Sequence, residues 1–177
     1  AETLIEHGDL RSAVKQLEKL IKVLVIANPR DEEGRSSSSL ASRTEAYTRF
    51  RLGTVLRALS ETKAAIKQFK EVELIAQNRR GMRELLQMQL VARAVRAEMG
   101  LPSDRLALLR EIAEDDYYRV ADGLSSAIAL RMAGTFDPDS AEFEEVERYL
   151  EEDEQRAASR VFADDYSIWF KYLVRPM

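Results

Sequence analysis

A glycine, an alanine and a phenylalanine at fixed spacing constrain the fold of this chain most strongly. Gly53 lies in a run with apolar residues at helical spacing, Ala65 follows it by twelve residues, and Phe69 follows Ala65 by four. A small residue on each of two helices allows their backbones to approach closely. Phe69 is then placed to fill the space beside the contact. The spacing therefore predicts a tightly packed pair of helices joined by a short turn.

This spacing resembles the helix-turn-helix unit of the tetratricopeptide repeat (TPR) family, whose pattern contains L-G-x2-Y and then A-x3-F. Leu52 and Gly53 match the first part, Ala65 and Phe69 match the second, and Leu56 stands at the tyrosine position. The neighbouring units supply further repeat positions at Gly8, Ala13 and Ala92. The resemblance implies an all-α fold, namely a right-handed superhelical stack of antiparallel helix pairs (a TPR-like α-solenoid) with extra C-terminal helices.

The likeness divides the chain into two parts. Residues 1–114 are predicted to form TPR-like helix pairs, and residues 115–177 a C-terminal helical extension packed on the same solenoid. Residues 1–7 supply only the end of a first helix, so the first pair is predicted to be truncated. Either the sequence is a fragment of a longer protein, or a partner covers this end, because a solenoid terminus needs a cap.

A polar segment separates the first predicted helix pair from the second. Residues 29–39 contain four serines and Gly34 and no apolar side chain that could be buried, which predicts a loop. The loop lengthens the repeat, since Ala13 and Ala65 are 52 residues apart, against about 34 in the family. It is interpreted as a tolerated surface insertion, with a functional loop or a phosphorylation site as the alternatives.

The remaining helices follow from apolar periodicity and from the few glycine and proline residues. Asp9 is predicted to cap the second helix and Ser103 or Asp104 a later one, because a carboxylate or hydroxyl accepts from free backbone N–H groups. The predicted apolar stripe of the second helix contains Leu10, Ala13, Val14, Leu17, Leu20, Ile21 and Leu24. The later predicted helices span 39–59, 63–77, 85–99, 103–114, 117–132 and 139–162.

The composition argues against catalysis. The chain contains no cysteine and a single histidine, His7, which cannot build a structural zinc site or a helical di-metal site. The chain also lacks the sequence motifs of phosphate-binding loops and of nucleophile elbows. We therefore expect no enzyme activity, no metal and no cofactor. Since no apolar run approaches the roughly 20 residues that span a bilayer, the sequence predicts a cytoplasmic protein without a membrane segment.

In the TPR family, the first helices of successive repeats line a concave groove that binds peptides or partner domains. Carried over by spacing, the resemblance implies a groove lined by Tyr47, Phe50, Arg51, Thr54, Arg57, Gln89, Arg93 and Arg96. Such a groove is basic with some aromatic surface, which suits a protein or an acidic peptide, because arginine binds carboxylates bidentately. The family's clamp for chaperone tails uses asparagine and lysine, whereas this chain has Thr54 and Arg51. The sequence thus predicts a non-catalytic scaffold or sensor module.

The alternative function is binding of RNA or single-stranded nucleic acid. Between Arg43 and Arg110 the chain carries 14 Lys and Arg against 7 Asp and Glu. The isoelectric point of the whole chain is 5.3, below the basic values typical of nucleic-acid-binding domains. Binding of nucleic acid is therefore the less favoured of the two functions.

The charge is distributed unevenly along the chain. Residues 1–110 carry 20 basic and 14 acidic side chains, and residues 111–177 carry 7 and 17. Attraction between the halves suggests that the acidic segment 139–163 lies near the mouth of the basic groove and competes with an acidic partner, anchored by Phe143, Val146 and Leu150. In the alternative arrangement this helix extends the stack and turns its acids to water.

Overall fold

The structure is a computed structural model that describes residues 1–27, 29, 38–78, 82–114, 128–129, 131–140 and 142–149. Every regular element in these ranges is helical. The helices are α1 (Glu2–Glu6), α2 (Leu10–Ala27), α3 (Ser39–Ala58), α4 (Thr62–Gln77), α5 (Arg83–Glu98) and α6 (Pro102–Glu114). Residues 128–129, 131–133 and 142–149 are helical as well. Within the described ranges, no helix combines the length and apolar character needed to cross a membrane.

The same turn joins α1 to α2 and α3 to α4. Gly8 (φ 76°) and Ser60 (φ 61°) both adopt the left-handed conformation directly after a helix. The N–H of Gly8 donates to the carbonyl of Ile5, and that of Ser60 to the carbonyl of Arg57. The N–H of the following residue reaches one residue further back in each case, which completes the Schellman motif. The turn predicted at Gly8 is therefore confirmed, and it recurs 52 residues later with serine in place of glycine.

Side chains near the starts of the helices accept hydrogen bonds from some of the backbone N–H groups that have no partner within the helix. Asp9 accepts from Ser12 N–H at 3.2 Å, as predicted for an N-cap. The expectation that Ser103 or Asp104 caps α6 is wrong, because the helix already begins at Pro102. Proline fits this first helical position since it lacks an N–H. The Asp104 carboxylate instead reaches back to accept from Leu101 N–H at 2.9 Å.

Close packing of α3 against α4 confirms the predicted contact around Gly53. A Cβ placed on Gly53 would lie 2.9 Å from both Cε1 and Cζ of Phe69. Phe69 and Ala65 are fully buried, and the Phe50 ring packs edge-on against Phe69 with centroids 5.7 Å apart. The glycine therefore provides the space that the Phe69 ring occupies.

One hydrophobic core extends through the helices. α3 packs against α2 and α4, α5 packs against α4 and α6, and α3 also contacts α5 directly. A single cluster of buried side chains runs from Leu17 of α2 to Tyr149 and includes Ile128, Met132 and Val146. The described part of the C-terminal segment thus shares the core of the preceding helices.

The apolar stripe predicted for α2 is buried only in part. Ala13, Leu17 and Ile21 lie in the interior, as expected from their spacing. Leu20 is exposed, which corrects its assignment to the buried stripe. With 3.6 residues per turn, Leu20 lies at the edge of the helix face that contains Ala13, Leu17 and Ile21.

Candidate functional site

The odd-numbered helices α3 and α5 lie against one another and form a pocket between their N-terminal halves. Its volume is about 220 Å³. The lining residues, which we call the Tyr47 pocket, are Arg43, Thr44, Tyr47, Glu84 and Met88. They come from the first helices of two successive predicted repeats, where the TPR resemblance places a binding groove.

The Tyr47 pocket has an apolar floor and a charged rim. Met88 is almost fully buried below the pocket, whereas Tyr47 is 41% exposed. Across the rim, Arg43 Nη1 donates to Glu84 Oε2 at 2.7 Å, and both side chains are largely accessible to water. An exposed pair of this kind contributes only about 0–1 kcal/mol, so a ligand can exchange with it at little cost. The pocket can therefore take an apolar group beside a charged one.

Two of the predicted groove residues on α3 are buried in internal contacts. Arg51 Nε donates to Glu2 Oε1 of α1 at 2.9 Å, and its Nη2 donates to the second carboxylate oxygen. Thr54 Oγ1 donates to the carbonyl of Arg51 at 2.8 Å. The Arg51 guanidinium is thus engaged within the chain and links α1 to α3.

The Glu98 carboxylate links α5 to α3 and to the helical residues 131–133. Arg57 Nη2 donates to Glu98 Oε2 at 3.1 Å, and Arg131 Nε donates to Glu98 Oε1. The Glu98 side chain is 11% exposed, so it is mostly shielded from water. Glu98 therefore binds two arginines from two parts of the chain.

The predicted groove arginines on α5 pair with acids on both neighbouring helices. Arg96 donates to Glu73 of α4 through Nε at 2.8 Å and Nη2 at 3.1 Å. Arg93 donates to Glu111 of α6 through both terminal nitrogens. These arginines hold α4, α5 and α6 together and contribute little unbalanced positive charge.

Phe50 and Gln89 do not line an open groove, which corrects their predicted positions. Phe50 lies in the core against Phe69. Gln89 is also buried, and its Oε1 has no hydrogen-bond partner in the described part of the chain. Both point inward because they share the helix faces that contact α4, at the spacing of three and four residues that joins one face. Of the eight predicted residues, Tyr47 presents the most surface to solvent.

Of the five residues that line the pocket, the sequence predicts only Tyr47 as a binding residue. Arg43 precedes Tyr47 by four residues, and Glu84 precedes Met88 by four, on helices that lie side by side. This matched spacing of opposite charges on α3 and α5 is the signal that could have identified the pocket. It becomes informative only when the register between α3 and α5 is known.

The acidic segment makes its described ion pair with α6. Arg110 donates to Glu145 through Nε at 2.6 Å and Nη2 at 2.8 Å, and the Tyr149 hydroxyl donates to Glu145 at 2.9 Å. The hydrogen bonds from Arg110 lower the pKa of the Glu145 carboxyl to about 2. Val146 is buried in the hydrophobic core, and Phe143 is partly buried against it.

The other acids on residues 142–149 face water. Glu142, Glu144 and Glu147 are exposed. Their arrangement agrees with a helix that extends the stack, and the described pairs of the groove arginines involve other acids. Residues 150–163 of the acidic segment, including Leu150, lie outside the described ranges.

Comparisons with protein-family profiles, with curated proteins and with solved structures found no match to this chain. The functional interpretation therefore depends on the geometry of the Tyr47 pocket and on the recurrence of the same turn at Gly8 and Ser60.

Proposed function

We propose that this chain is a non-catalytic protein-interaction module built from TPR-like helix pairs, and that it binds a peptide segment of a partner protein at the Tyr47 pocket. The observation that carries the proposal is the position of this pocket between α3 and α5. A partly exposed tyrosine above a buried methionine offers an amphipathic contact, and side chains of this kind dominate protein interfaces.

The repetition of one turn supports the repeat architecture. Gly8 and Ser60 occupy equivalent places, and the buried alanines Ala13 and Ala65 each follow their turn residue by five positions. The glycine–phenylalanine contact between α3 and α4 fits the packing that the TPR pattern requires. The first helices of successive pairs then adjoin at α3 and α5, which supports a binding surface there.

The ligand is a peptide with one apolar or aromatic side chain next to a carboxylate. The apolar group fits between Tyr47 and Met88, and the carboxylate replaces Glu84 as the partner of Arg43. Charge-assisted contacts between arginine and a carboxylate are well suited to such an exchange. Because this exchange involves a single exposed arginine, a peptide with one or two acids fits better than a polyanion.

The internal arginine pairs weigh against nucleic-acid binding. Arg51, Arg57, Arg93 and Arg96 each donate to a carboxylate of the same chain. A nucleic acid would have to break these contacts, and it would leave partly buried carboxylates without their partners. Four of the fourteen Lys and Arg side chains in this stripe are therefore already engaged within the fold.

The test is selection of peptides on the immobilised protein, followed by affinity measurements on the selected peptides by fluorescence anisotropy. Tyr47→Ala is expected to weaken binding at least about tenfold, the range of an interface hot spot. Leu74→Ala on α4 is the matched control, because Leu74 is 44% exposed but lies away from the pocket. Arg43→Met is expected to weaken only peptides that carry a carboxylate.

Two results would contradict the proposal. One is equal binding of the selected peptides to the native protein and to the Tyr47→Ala protein. The other is the failure of any peptide to bind while single-stranded RNA binds with a steep dependence on salt, which would indicate the nucleic-acid function instead.

A further inference from the structure

Helix α2 carries an apolar surface that the described helices leave open to solvent. Leu20 is 44% exposed, Val23 55% and Ile26 81%. These residues recur every third position, so they form a continuous strip along about two turns of the helix. A strip of three large aliphatic side chains differs from isolated exposed residues, which are common on protein surfaces.

The strip lies beyond the reach of α1. At 1.5 Å per residue, the five residues of α1 extend for about 8 Å, whereas the 18 residues of α2 extend for about 27 Å. Ile5 of α1 packs on the core, as do Leu10 and Val14 near the start of α2. α1 therefore covers the beginning of α2, and among the described helices it does not reach the segment from Leu20 to Ile26.

Lysine side chains border the strip. Lys15, Lys19 and Lys22 are exposed and follow one another at intervals of four and three residues, which places them on one side of α2. The long aliphatic part of each lysine can lie against an apolar partner while its ammonium group meets a carboxylate. The surface thus combines an apolar centre with a basic border.

We propose that this α2 surface, defined by Leu20, Val23 and Ile26 with the bordering lysines, binds an acidic amphipathic helix of a partner protein. An apolar stripe on that helix covers the three aliphatic side chains, and its glutamates or aspartates meet the lysines. This is helix-to-helix recognition, in which anchors at intervals of three and four residues are read by a complementary face. It is a second surface, separate from the Tyr47 pocket.

Charge distinguishes this occupant from a second copy of the same chain. Two α2 helices packed face to face would bring Lys19 and Lys22 of both copies together, and like charges across an interface oppose association. The chain's own acidic helix at 142–149 is also unsuited, because its apolar residue Val146 is already buried in the core. Neither of these two occupants fits the lysine border as an acidic helix of a different protein does.

The test uses a labelled synthetic helix of about 18 residues, five turns, with leucines along one stripe and glutamates on both sides. A peptide of the same composition in scrambled order lacks the stripe and is the control. Binding is measured by fluorescence anisotropy at low and high salt, because the lysine contacts are screened as salt rises. Native protein is expected to bind the striped peptide, more weakly at high salt, and to bind the scrambled peptide at least about tenfold more weakly.

Substitutions in α2 identify the surface. The double variant Val23→Asp with Ile26→Asp is expected to lose at least about tenfold in affinity. Lys19→Glu with Lys22→Glu should lose the acidic peptide and gain a peptide in which lysine replaces glutamate. Leu101→Asp is the matched control, since Leu101 is 68% exposed and precedes α6. Circular dichroism verifies that each variant retains its helices.

Four outcomes would overturn the proposal. They are absence of binding to the striped peptide, equal binding of the scrambled peptide, unchanged affinity in the double aspartate variant, and failure of the lysine-to-glutamate exchange to reverse the charge preference. Sedimentation and vesicle-binding measurements add two more. If the aspartate variant instead abolishes self-association, the occupant is a second copy, and if it abolishes binding to phosphatidylserine vesicles, the occupant is a membrane surface.

Discussion

Replacement of Gly53 by alanine gives the sharpest test of the packing between α3 and α4. The added Cβ would lie 2.9 Å from two carbons of the Phe69 ring, whereas carbon atoms in contact are separated by about 3.5–4.0 Å. The ring has little room to retreat, because it is fully buried and packs edge-on against Phe50. Either the ring or the helix backbone must therefore move by more than about half an ångström.

Two opposing contributions determine the magnitude. Alanine in place of glycine within a helix normally raises the free energy of unfolding by about 1 kcal/mol. Overpacking of a well-packed core normally lowers it by about 1–3 kcal/mol. For Gly53→Ala we expect a net loss of about 1 kcal/mol, and for the larger Gly53→Leu a loss of about 3 kcal/mol or more.

The assay is urea denaturation followed by circular dichroism, with the shift of the midpoint compared at constant slope. Phe69→Leu removes the opposing ring atoms, so the combination with Gly53→Ala should cost less than the sum of the two single changes. Gly8→Ala is the control, since its Cβ would meet no atom within 4 Å and any loss would come from the positive φ alone. That variant should combine additively with Phe69→Leu.

The sign of the effect decides the matter. If Gly53→Ala is as stable as the native protein or more stable, helix propensity outweighs steric contact and the close approach of α3 and α4 is refuted. Additive behaviour of Gly53→Ala with Phe69→Leu would refute it as well.

Three further predictions concern individual ion pairs and one strained turn. Because the hydrogen bonds from Arg110 hold the pKa of Glu145 at about 2 instead of 4.5, their stabilisation is present above pH 4.5 and is lost as the pH falls toward 2. Urea midpoints measured across that range should therefore converge for the native protein and for Glu145→Gln. Arg96→Met should lower the free energy of unfolding by about 1–3 kcal/mol by depriving the buried Glu73 carboxylate of its main partner, and the added change Glu73→Met should restore most of the loss in thermal denaturation. Ser60→Gly should raise the urea midpoint by an amount equivalent to about 1 kcal/mol, because glycine adopts a positive φ without the steric cost that serine bears.

Local features of the fold were predictable because they depend on residues close in sequence. The turn at Gly8, the cap at Asp9 and the contact of Gly53 with Phe69 all join residues separated by one turn or one helix pair. The burial of Phe50 against α4 was predictable from the same kind of local spacing. Phe50 precedes Gly53 by three residues and so shares the helix face that packs against α4.

Whether each arginine is exposed to solvent or paired with a carboxylate could not be predicted from the sequence. Whether Arg96 faces solvent or Glu73 depends on the rotation of α5 relative to α4, and that rotation is fixed by the packing of all the core side chains. Arg93 shows the same dependence through Glu111 on α6. A count of charges along the chain contains no information on these distances, which is why arginines predicted to line an open groove instead pair with acids of the same chain.

The sharing of Glu98 between Arg57 and Arg131 makes these three positions unequal in their tolerance to mutation. Loss of either arginine leaves the carboxylate with one partner, so a single missense change there is expected to be mild. Loss of Glu98 leaves two guanidinium groups close together in a region with limited access to water, and reversal to lysine adds a third positive charge. In a saturation mutagenesis screen for folded protein, position 98 should therefore accept the fewest substitutions of the three, and second-site suppressors of its loss should arise at Arg57 or Arg131.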